Sequence, residues 1–158
     1  VRKQFPVLQR RKFLRGRVSS ADKISEDVIW LNSDATEMID EDWQKPARHH
    51  FGVLLNGEHI DEVDSEGNIV TSSTLLILCN AHWEGMDFVL PPKSGEEYAG
   101  NTGMSQPEKA WKLLLDTSGV YDSSCWELNS RFYLNDRSLV LFELSDKDEN
   151  LPYSSIYD

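Results

Sequence analysis

Cysteine is scarce in this sequence, which holds two in 158 residues, Cys79 and Cys125. Two cysteines cannot build the disulfide scaffold on which small secreted domains depend, so we expect a reducing, cytoplasmic compartment. Long hydrophobic runs are lacking too. No stretch approaches the roughly 20 apolar residues that span a bilayer, and we expect neither a membrane span nor a signal sequence. With 27% charged and 39% hydrophobic residues, the composition is that of a globular protein about one domain in size.

Motifs for catalysis and phosphate binding are lacking as well. No Ser lies in a Gly-x-Ser-x-Gly elbow, and neither cysteine has a local pattern of catalytic partners. The glycine-rich segment 94–103 has loop composition but lacks the Lys-Ser/Thr ending of a phosphate-binding loop. Local motifs therefore predict no catalytic residue and no cofactor.

Acidic residues outnumber basic ones overall, yet none occurs in the opening segment. The first 17 residues hold seven of the 16 Lys and Arg and none of the 27 Asp and Glu. The rest of the chain is therefore strongly acidic, which disfavours nucleic acid and anionic lipid as partners. A basic arm for nucleic acid is the alternative for the opening segment. Phe and Leu are interleaved among its bases as packing residues would be, however, so we expect no nucleic acid and no membrane partner.

Strand patterns dominate the rest of the sequence. A short apolar run at 27–31 and an alternating run at 48–57, with Phe51, Val53 and Leu55 on one face, are each followed by turn residues. Short strands separated by turns at this spacing predict an all-β, antiparallel sandwich or barrel.

Two longer segments are predicted to be hairpins. Segment 74–92 has two apolar strands around His82–Gly85, and segment 131–144 has two around Asn135-Asp136. Cys79 falls in the first strand of segment 74–92, whereas Cys125 falls in a polar loop.

Segment 105–116 carries conflicting signals. Ser105 as an N-cap, Pro107 in the first turn and Glu108 indicate a helix start. The apolar residues that follow alternate as in a strand, and they are Trp111, Leu113 and Leu115. Local patterns leave both structures open.

Six blocks, in order, are similar to a known family. They are QFPVLQRRKFLRGR, DVIWLNSDATEMIDEDW, FGVLLNG, LLILCNAHWEGMDFVLP, WKLLLDTS and YLNDRSLVLFEL. From residue 4 to about 144, the chain resembles the C-terminal region of isoamylase-type glycogen debranching enzymes of the α-amylase superfamily. Ala35 departs from the Gly usual in the family's DGTEM turn, Cys79 replaces a commoner apolar residue, and the tail from Asp146 matches nothing known.

The resemblance implies a domain organisation. A catalytic (β/α)8 barrel would precede this region, so residues 1–17 would be the end of its last helix and a linker, with Pro6 as the helix terminator. Residues 18–145 would be an α-amylase-type C-terminal β-sandwich, and 146–158 an acidic tail. Segment 108–116 is then expected to be a strand. The chain is expected to be a fragment that begins at the seam between two domains.

The resemblance also implies a function. The catalytic Asp nucleophile, Glu acid/base and further Asp would lie on barrel strands ahead of this chain, which would itself be non-catalytic. It would stabilise the barrel of a hydrolase of α-1,6-glucosidic bonds and contact α-glucan, in the cytoplasm or, alternatively, the plastid stroma. An autonomous carbohydrate-binding module is the alternative function.

Three clusters of polar residues are expected to be structural. The acids at 34–42 surround a turn and a helix start, where they favour the N-terminal dipole. Segment 62–73 imitates a calcium loop but has Ser73 where a bidentate Glu is needed, so a hairpin loop is expected. The histidines complete no zinc pattern, since the neighbours His49 and His50 point to opposite faces of a strand; the other two are His59 and His82.

The five tryptophans are the candidates for glucan contact, because sugars stack on exposed aromatic faces. Trp30 and Trp111 fall inside strand patterns and are expected in the core, while Trp43 is expected to cover an edge. Trp83 at a hairpin tip and Trp126 in a loop are the predicted glucan-binding residues.

Three strand runs are apolar at every position, namely Val28–Leu31, Leu75–Leu78 and Leu139–Phe142. Both of their faces are hydrophobic, so a cover is expected on each. Either the opening segment folds over the second face or the chain self-associates through it. The covering residues would be Phe5, Val7, Phe13 and Leu14.

Overall fold

The computed structural model describes residues 1–12, 14, 16–20, 23–46, 48–60, 62–92, 108–122 and 124–147. Segment 94–103, Ser105, Pro107 and the tail beyond residue 147 lie outside the described residues. The strands are β1 Arg17–Ser20, β2 Lys23–Glu26, β3 Val28–Leu31, β4 His50–Leu55, β5 Leu75–Asn80, β6 Met86–Val89, β7 Lys109–Asp116, β8 Cys125–Glu127, β9 Arg131–Leu134 and β10 Ser138–Asp146. The helices are α1 Asp40–Trp43 and three 3-10 turns, Arg2–Gln4, Pro6–Gln9 and Gly57–His59. Within these residues no helix is long and apolar enough to cross a membrane.

The strands form one large sheet and two small ones. The large sheet has six strands in the order β3-β4-β5-β10-β7-β8, while β6 pairs with β9 and β1 with β2. Every pairing is antiparallel. The prediction of an all-β, antiparallel, sandwich-like domain is confirmed.

The two predicted hairpins are wrong in their pairing. β5 and β6 follow one another but lie in different sheets, and so do β9 and β10. Instead β5 pairs with β10 and β6 with β9, so both connections cross from one sheet to the other. Leu78 of β5 and Phe88 of β6 thereby face the same core. Turn residues between apolar runs are common to hairpins and to such crossings, so the sequence pattern does not distinguish them.

Segment 108–116 is a strand, as the resemblance implied. β7 pairs with β10 through a bulge, in which Leu115 lies opposite Leu141 and Leu113 opposite Phe142. The extra residue, Leu114, shifts the face on which the following side chain falls. Leu115 is consequently 44% exposed instead of sharing the buried face with Leu113.

The core between the large sheet and the β6-β9 sheet is built from aromatic residues. Phe132 of β9 lies at its centre, with ring centroids 4.9 Å from Trp126 and 5.1 Å from Phe142, both edge to face. These rings are at most 2% exposed. Cys125, expected in a polar loop, is fully buried in β8. We call this cluster the inner core.

The opposite face of the large sheet is covered by the opening segment, the first of the two expected alternatives. Phe5 and Val7 are 8% and 4% exposed and pack with Val53, Leu75 and other apolar residues in a second cluster. Phe5 is extended because Pro6 follows it, which ends the first 3-10 turn. Leu14 is 45% exposed and does not contribute to the cover, while Phe13 lies outside the described residues. We call this cluster the outer core.

A buried ion pair ties the opening segment to the sheet. Arg10 Nη1 lies 2.9 Å from Asp27 Oδ2, and the two side chains are 5% and 8% exposed. The backbone N–H of Gly16 donates to the other oxygen of Asp27 at 2.9 Å. Arg10 therefore faces its own domain.

Candidate functional site

The acidic turn between β3 and α1 is a structural network centred on Asp42. Its carboxylate accepts hydrogen bonds from Lys45 Nζ at 2.7 Å, Arg48 Nη2 at 3.1 Å, and both the Ile39 N–H and Asn32 Nδ2 at 3.1 Å. These contacts, led by the Lys45 hydrogen bond, hold the pKa of Asp42 far below its usual range. A carboxylate so engaged is an anion at neutral pH that positions a turn.

Within the same turn, Ala35 adopts a left-handed backbone, with φ of 66°. The turn therefore keeps a left-handed residue although Ala stands where the family usually has Gly, and the Cβ of Ala35 is unfavourable in this backbone conformation. The neighbouring Asp34 accepts hydrogen bonds from the Thr36 hydroxyl at 2.6 Å and the Thr36 N–H at 3.1 Å, which lower its pKa. Asp34 and Asp42 are thus engaged in turn formation, and Asp40 and Glu41 lie in the first turn of α1, as expected.

Segment 62–73 is a hairpin loop, as predicted. Val63 and Ile69 form an antiparallel bridge around the turn. Asp64 accepts the backbone N–H of Glu66 at 2.8 Å and of Asn68 at 2.9 Å, and the bonds from Asn68 lower its pKa most. Its oxygens face the loop's own donors. Throughout the described ranges, no group of three His, Cys, Asp or Glu could hold a metal ion.

A cleft beside this loop is formed together with the opening segment. Its lining residues are Arg11, Lys12, Glu62, Val63 and Ile69. Glu62 Oε1 accepts the backbone N–H groups of Arg11 and Lys12 at 2.6 and 3.1 Å, which lower the pKa of Glu62. The carboxylate in this cleft holds the opening segment in place.

The histidine pair divides between two faces, as predicted. His50 points inward, with its ring 5.9 Å from Phe88 of the inner core. Burial, followed by the charge of Arg48, lowers the pKa of His50 and favours the neutral ring. His49 points the other way and stacks on His82, with centroids 5.6 Å apart and 16° between the planes. The side chain of His59 lies outside the described residues.

The tryptophans are distributed differently from the expectation. Trp111 is fully buried, as predicted, and its indole N–H donates to the Pro91 carbonyl at 2.9 Å. Trp126 is 2% exposed in β8, so its predicted place in an exposed loop is wrong. The ring packs between Phe132 and Tyr121 and cannot present a face to a sugar. Trp30, predicted in the core, is 38% exposed because edge strand β3 turns it to the outer side.

Trp83 stands at the connection between β5 and β6 and is 70% exposed, which agrees with its predicted place at a tip. One face of its indole stacks on His82, with centroids 4.0 Å apart. Its backbone neighbours are held by Asn80, which is 1% exposed. Asn80 Nδ2 donates to the carbonyls of Glu84 at 2.9 Å and Asn135 at 3.0 Å, and its Oδ1 accepts the His82 N–H at 3.0 Å. An exposed indole on a hydrogen-bonded turn is a preorganised stacking surface.

Three aromatic side chains form a second exposed cluster, which the sequence analysis did not predict. The Trp30 and Trp43 rings meet edge to face at 5.1 Å, and Trp30 lies 5.6 Å from Phe51. Trp43, expected to cover an edge, is 51% exposed beside edge strand β3. Trp30 and Phe51 occupy the same face of two neighbouring strands, β3 and β4. What the sequence left open was the pairing of those strands.

Curated relatives of the chain come from mycobacteria. The chain is 32% identical over 109 residues to proteins called Glycogen operon protein GlgX homolog, from Mycobacterium bovis and from two strains of Mycobacterium tuberculosis. The match covers 68% of this chain and 15% of each relative's length. These relatives confirm the family resemblance carried by the six sequence blocks. No family model matches the chain.

Proposed function

We propose that this chain, a sequence relative of the glycogen operon protein GlgX homologs, is a non-catalytic accessory domain of a debranching hydrolase that cleaves α-1,6-glucosidic bonds. The observation that carries the proposal is the match to these relatives over 68% of the chain but only 15% of their length. A region of this size leaves room for a catalytic barrel elsewhere in a longer protein. The order of the six sequence blocks supports the same assignment.

The engaged carboxylates support a non-catalytic role. Retaining hydrolysis of a glycoside needs two carboxyl groups about 5 Å apart across the sugar, one of them able to donate a proton. The acids buried in the described part of the chain are Asp27 and Asp42. Asp27 pairs with Arg10, and Asp42 with Lys45 and Arg48, so both serve as structural anions.

We assign two tasks to the domain. It stabilises the catalytic barrel by packing against it, and it contacts α-glucan through the exposed face of Trp83. The stacked and hydrogen-bonded setting of Trp83 favours the second task, and it also favours the alternative function of an autonomous carbohydrate-binding module. We place the domain in the cytoplasm, with the plastid stroma as the alternative.

Incubation of the purified chain with pullulan, amylopectin and glycogen tests the non-catalytic assignment. We expect no release of reducing ends, because the carboxylates of the site would belong to another domain. The control is a mock purification from the same host, which measures contaminating amylases. Reducing ends that exceed this control would show that the chain is an independent enzyme.

Removal of the region from a longer protein that carries it separates the two non-catalytic functions, because both are expected to bind glucan without hydrolysing it. If the domain supports a barrel, the remaining protein should lose thermal stability. An autonomous module would leave the melting temperature of the remainder unchanged. It would still be retained by glycogen in a native gel.

A further inference from the structure

We infer that Trp83 is one end of a continuous aromatic row that binds an extended α-glucan chain. The row consists of Trp43, Trp30, Phe51, His49, His82 and Trp83. This inference rests on the proposed glucan contact at Trp83 and extends it from a single sugar to several consecutive ones.

The rings adjoin one another along the outer side of the large sheet. Four of the five steps in the row are ring contacts with centroid separations between 4.0 and 5.6 Å. The fifth step joins Phe51 of β4 and His49, which directly precedes β4. The Ala81 N–H donates to the His49 carbonyl at 2.7 Å, so the backbone pairing extends to His49, and residues two apart along such backbone share a face. His50 between them points to the inner core, which confirms the alternation at this place.

The row is accessible to solvent along its length. Trp43 and Trp83 at the two ends are 51% and 70% exposed, and Trp30 is 38% exposed. His49 is exposed as well, while Phe51 and His82 are partly buried beneath their neighbours. The opening segment closes the rest of the outer face with Phe5 and Val7. The rings follow one another in a line, a shape that suits a chain polymer.

The charge around the row points to a neutral ligand. Exposed acids stand at both ends, with Asp40 and Glu41 beside Trp43 and Glu84 beside Trp83. The neighbouring cations lie in ion pairs, Lys45 and Arg48 with Asp42, and Arg137 with Asp136. With Asp40 and Glu41 included, three carboxylates accompany two cations at the Trp43 end, so the surroundings of the row are acidic on balance. Phosphate-bearing ligands would be repelled, whereas a neutral sugar polymer can stack on the rings and donate hydroxyl hydrogen bonds to the carboxylates.

Native gel electrophoresis in glycogen or amylose tests the row with the full chain. We compare the wild type with Trp43→Ala, Trp83→Ala and the control Ile69→Ala, which removes an exposed apolar side chain outside the row. Each tryptophan variant should bind about five- to tenfold more weakly, since an aromatic contact of this kind contributes on the order of 1 kcal/mol. Ile69→Ala should migrate as the wild type. Trp43→Phe keeps a ring and should retain most of the binding.

Competition with maltose, maltotriose and maltoheptaose tests the extent of the site. The row predicts that inhibition strengthens with chain length in the wild type and that Trp43→Ala weakens this dependence. If Trp83→Ala alone weakens binding and the length dependence is flat, the row is wrong while the contact at Trp83 stands. If no glucan retains the wild type, both the row and the Trp83 contact are wrong, and the hydrolysis assay still decides the non-catalytic assignment.

Gel filtration of the same variants tests whether a second copy of the chain, and not a glucan, covers the row. A change in oligomeric state in Trp43→Ala, without a change in glucan affinity, would show that the row is an interface between copies and would overturn the inference. Thermal unfolding of each variant controls for loss of fold. Trp43→Phe and Trp83→Ala keep the test valid if Trp43→Ala fails to fold.

Discussion

The two faces of the six-stranded sheet share the same strands but are closed in different ways. The inner face meets a second sheet, and Phe132, Phe142 and Trp126 interlock there at 2% exposure or less. The outer face meets irregular segments, so Phe5 and Leu55 remain 7–8% exposed. A sheet covers another sheet along its whole width, whereas a short segment covers only a strip. The uncovered remainder of the outer face is where the aromatic row lies.

This difference separates stability from binding. The aromatic centre of the inner core is shielded from water, which makes it a large source of hydrophobic stabilisation. The outer face keeps large aromatic rings in contact with solvent, where they contribute less to folding and remain available to a ligand. Substitutions on the two faces should therefore have effects of different size and kind.

The largest effect is expected from Phe132→Ala in the inner core. The Phe132 ring centroid lies 4.8–5.1 Å from those of Tyr121, Trp126 and Phe142, so the truncation leaves a cavity among these rings. It should lower the free energy of unfolding by about 3–5 kcal/mol. Urea unfolding followed by circular dichroism measures the loss. Leu115→Ala, on a 44% exposed side chain, is the control and should change stability little. If Phe132→Ala lost less free energy of unfolding than Phe5→Ala on the outer face, the inner core would not be the more stabilising of the two faces.

Asn80→Ala should have the next largest effect, because Asn80 joins the two connections that cross between the sheets. Removal of its amide leaves the carbonyls of Glu84 and Asn135 and the N–H of His82 without their partner. We expect a loss of about 2–4 kcal/mol in the free energy of unfolding. Asn80→Asp should be worse still, since a carboxylate oxygen would face two carbonyl oxygens. Greater stability of Asn80→Asp than of Asn80→Ala would contradict this role.

Phe5→Ala tests the cover of the outer face. The side chain is 8% exposed and belongs to a short segment outside the sheet, which can move to fill the space that the truncation leaves. The cost should therefore come mainly from the lost burial of apolar surface and less from a cavity. We expect a loss of about 1.5–3 kcal/mol, less than for Phe132→Ala. The same urea titration measures both. Equal losses at the two positions would show that the outer face is as firmly closed as the inner one.

Asp42→Asn should have the smallest effect, and one that depends on pH. The folded protein holds the pKa of Asp42 below its ordinary value of 3.8, chiefly through Lys45. The stabilisation is therefore fully present above that ordinary value and is lost as pH falls through it towards the lower folded-state value. The gap in melting temperature between the wild type and Asp42→Asn should shrink from pH about 5 to about 2. A gap that stays constant over this range would show that Asp42 does not stabilise the turn as an anion.

Local patterns predicted much of the fold and part of the site. The opposite directions of His49 and His50 and the exposure of Trp83 follow from alternation and turn chemistry, which act within a few residues. The strand at 108–116 followed from the family resemblance, because local patterns left a helix open there. The predictions for Trp30 and Trp126 were wrong, because exposure depends on what another part of the chain places over a side chain. The aromatic row escaped prediction for the same reason, since it joins α1, β3, β4 and the β5-β6 connection.

The sequence by itself determined that the chain is all-β, that its central strands have two apolar faces and that it resembles the C-terminal region of glycogen debranching enzymes. Period-two alternation and the order of the six sequence blocks can be read from the chain without knowledge of its tertiary contacts. Only the tertiary structure decided which strands pair. It also decided that the β6-β9 sheet covers the inner face of the large sheet and the opening segment the outer face. The apolar runs before and after His82–Gly85 are compatible with a hairpin or with a crossing between sheets, and the pairing of β5 with β10 and β6 with β9 selects the crossing. Pairing is a long-range choice, because it is set by the burial of Leu78, Phe88 and Phe132 together, and no one segment contains that information.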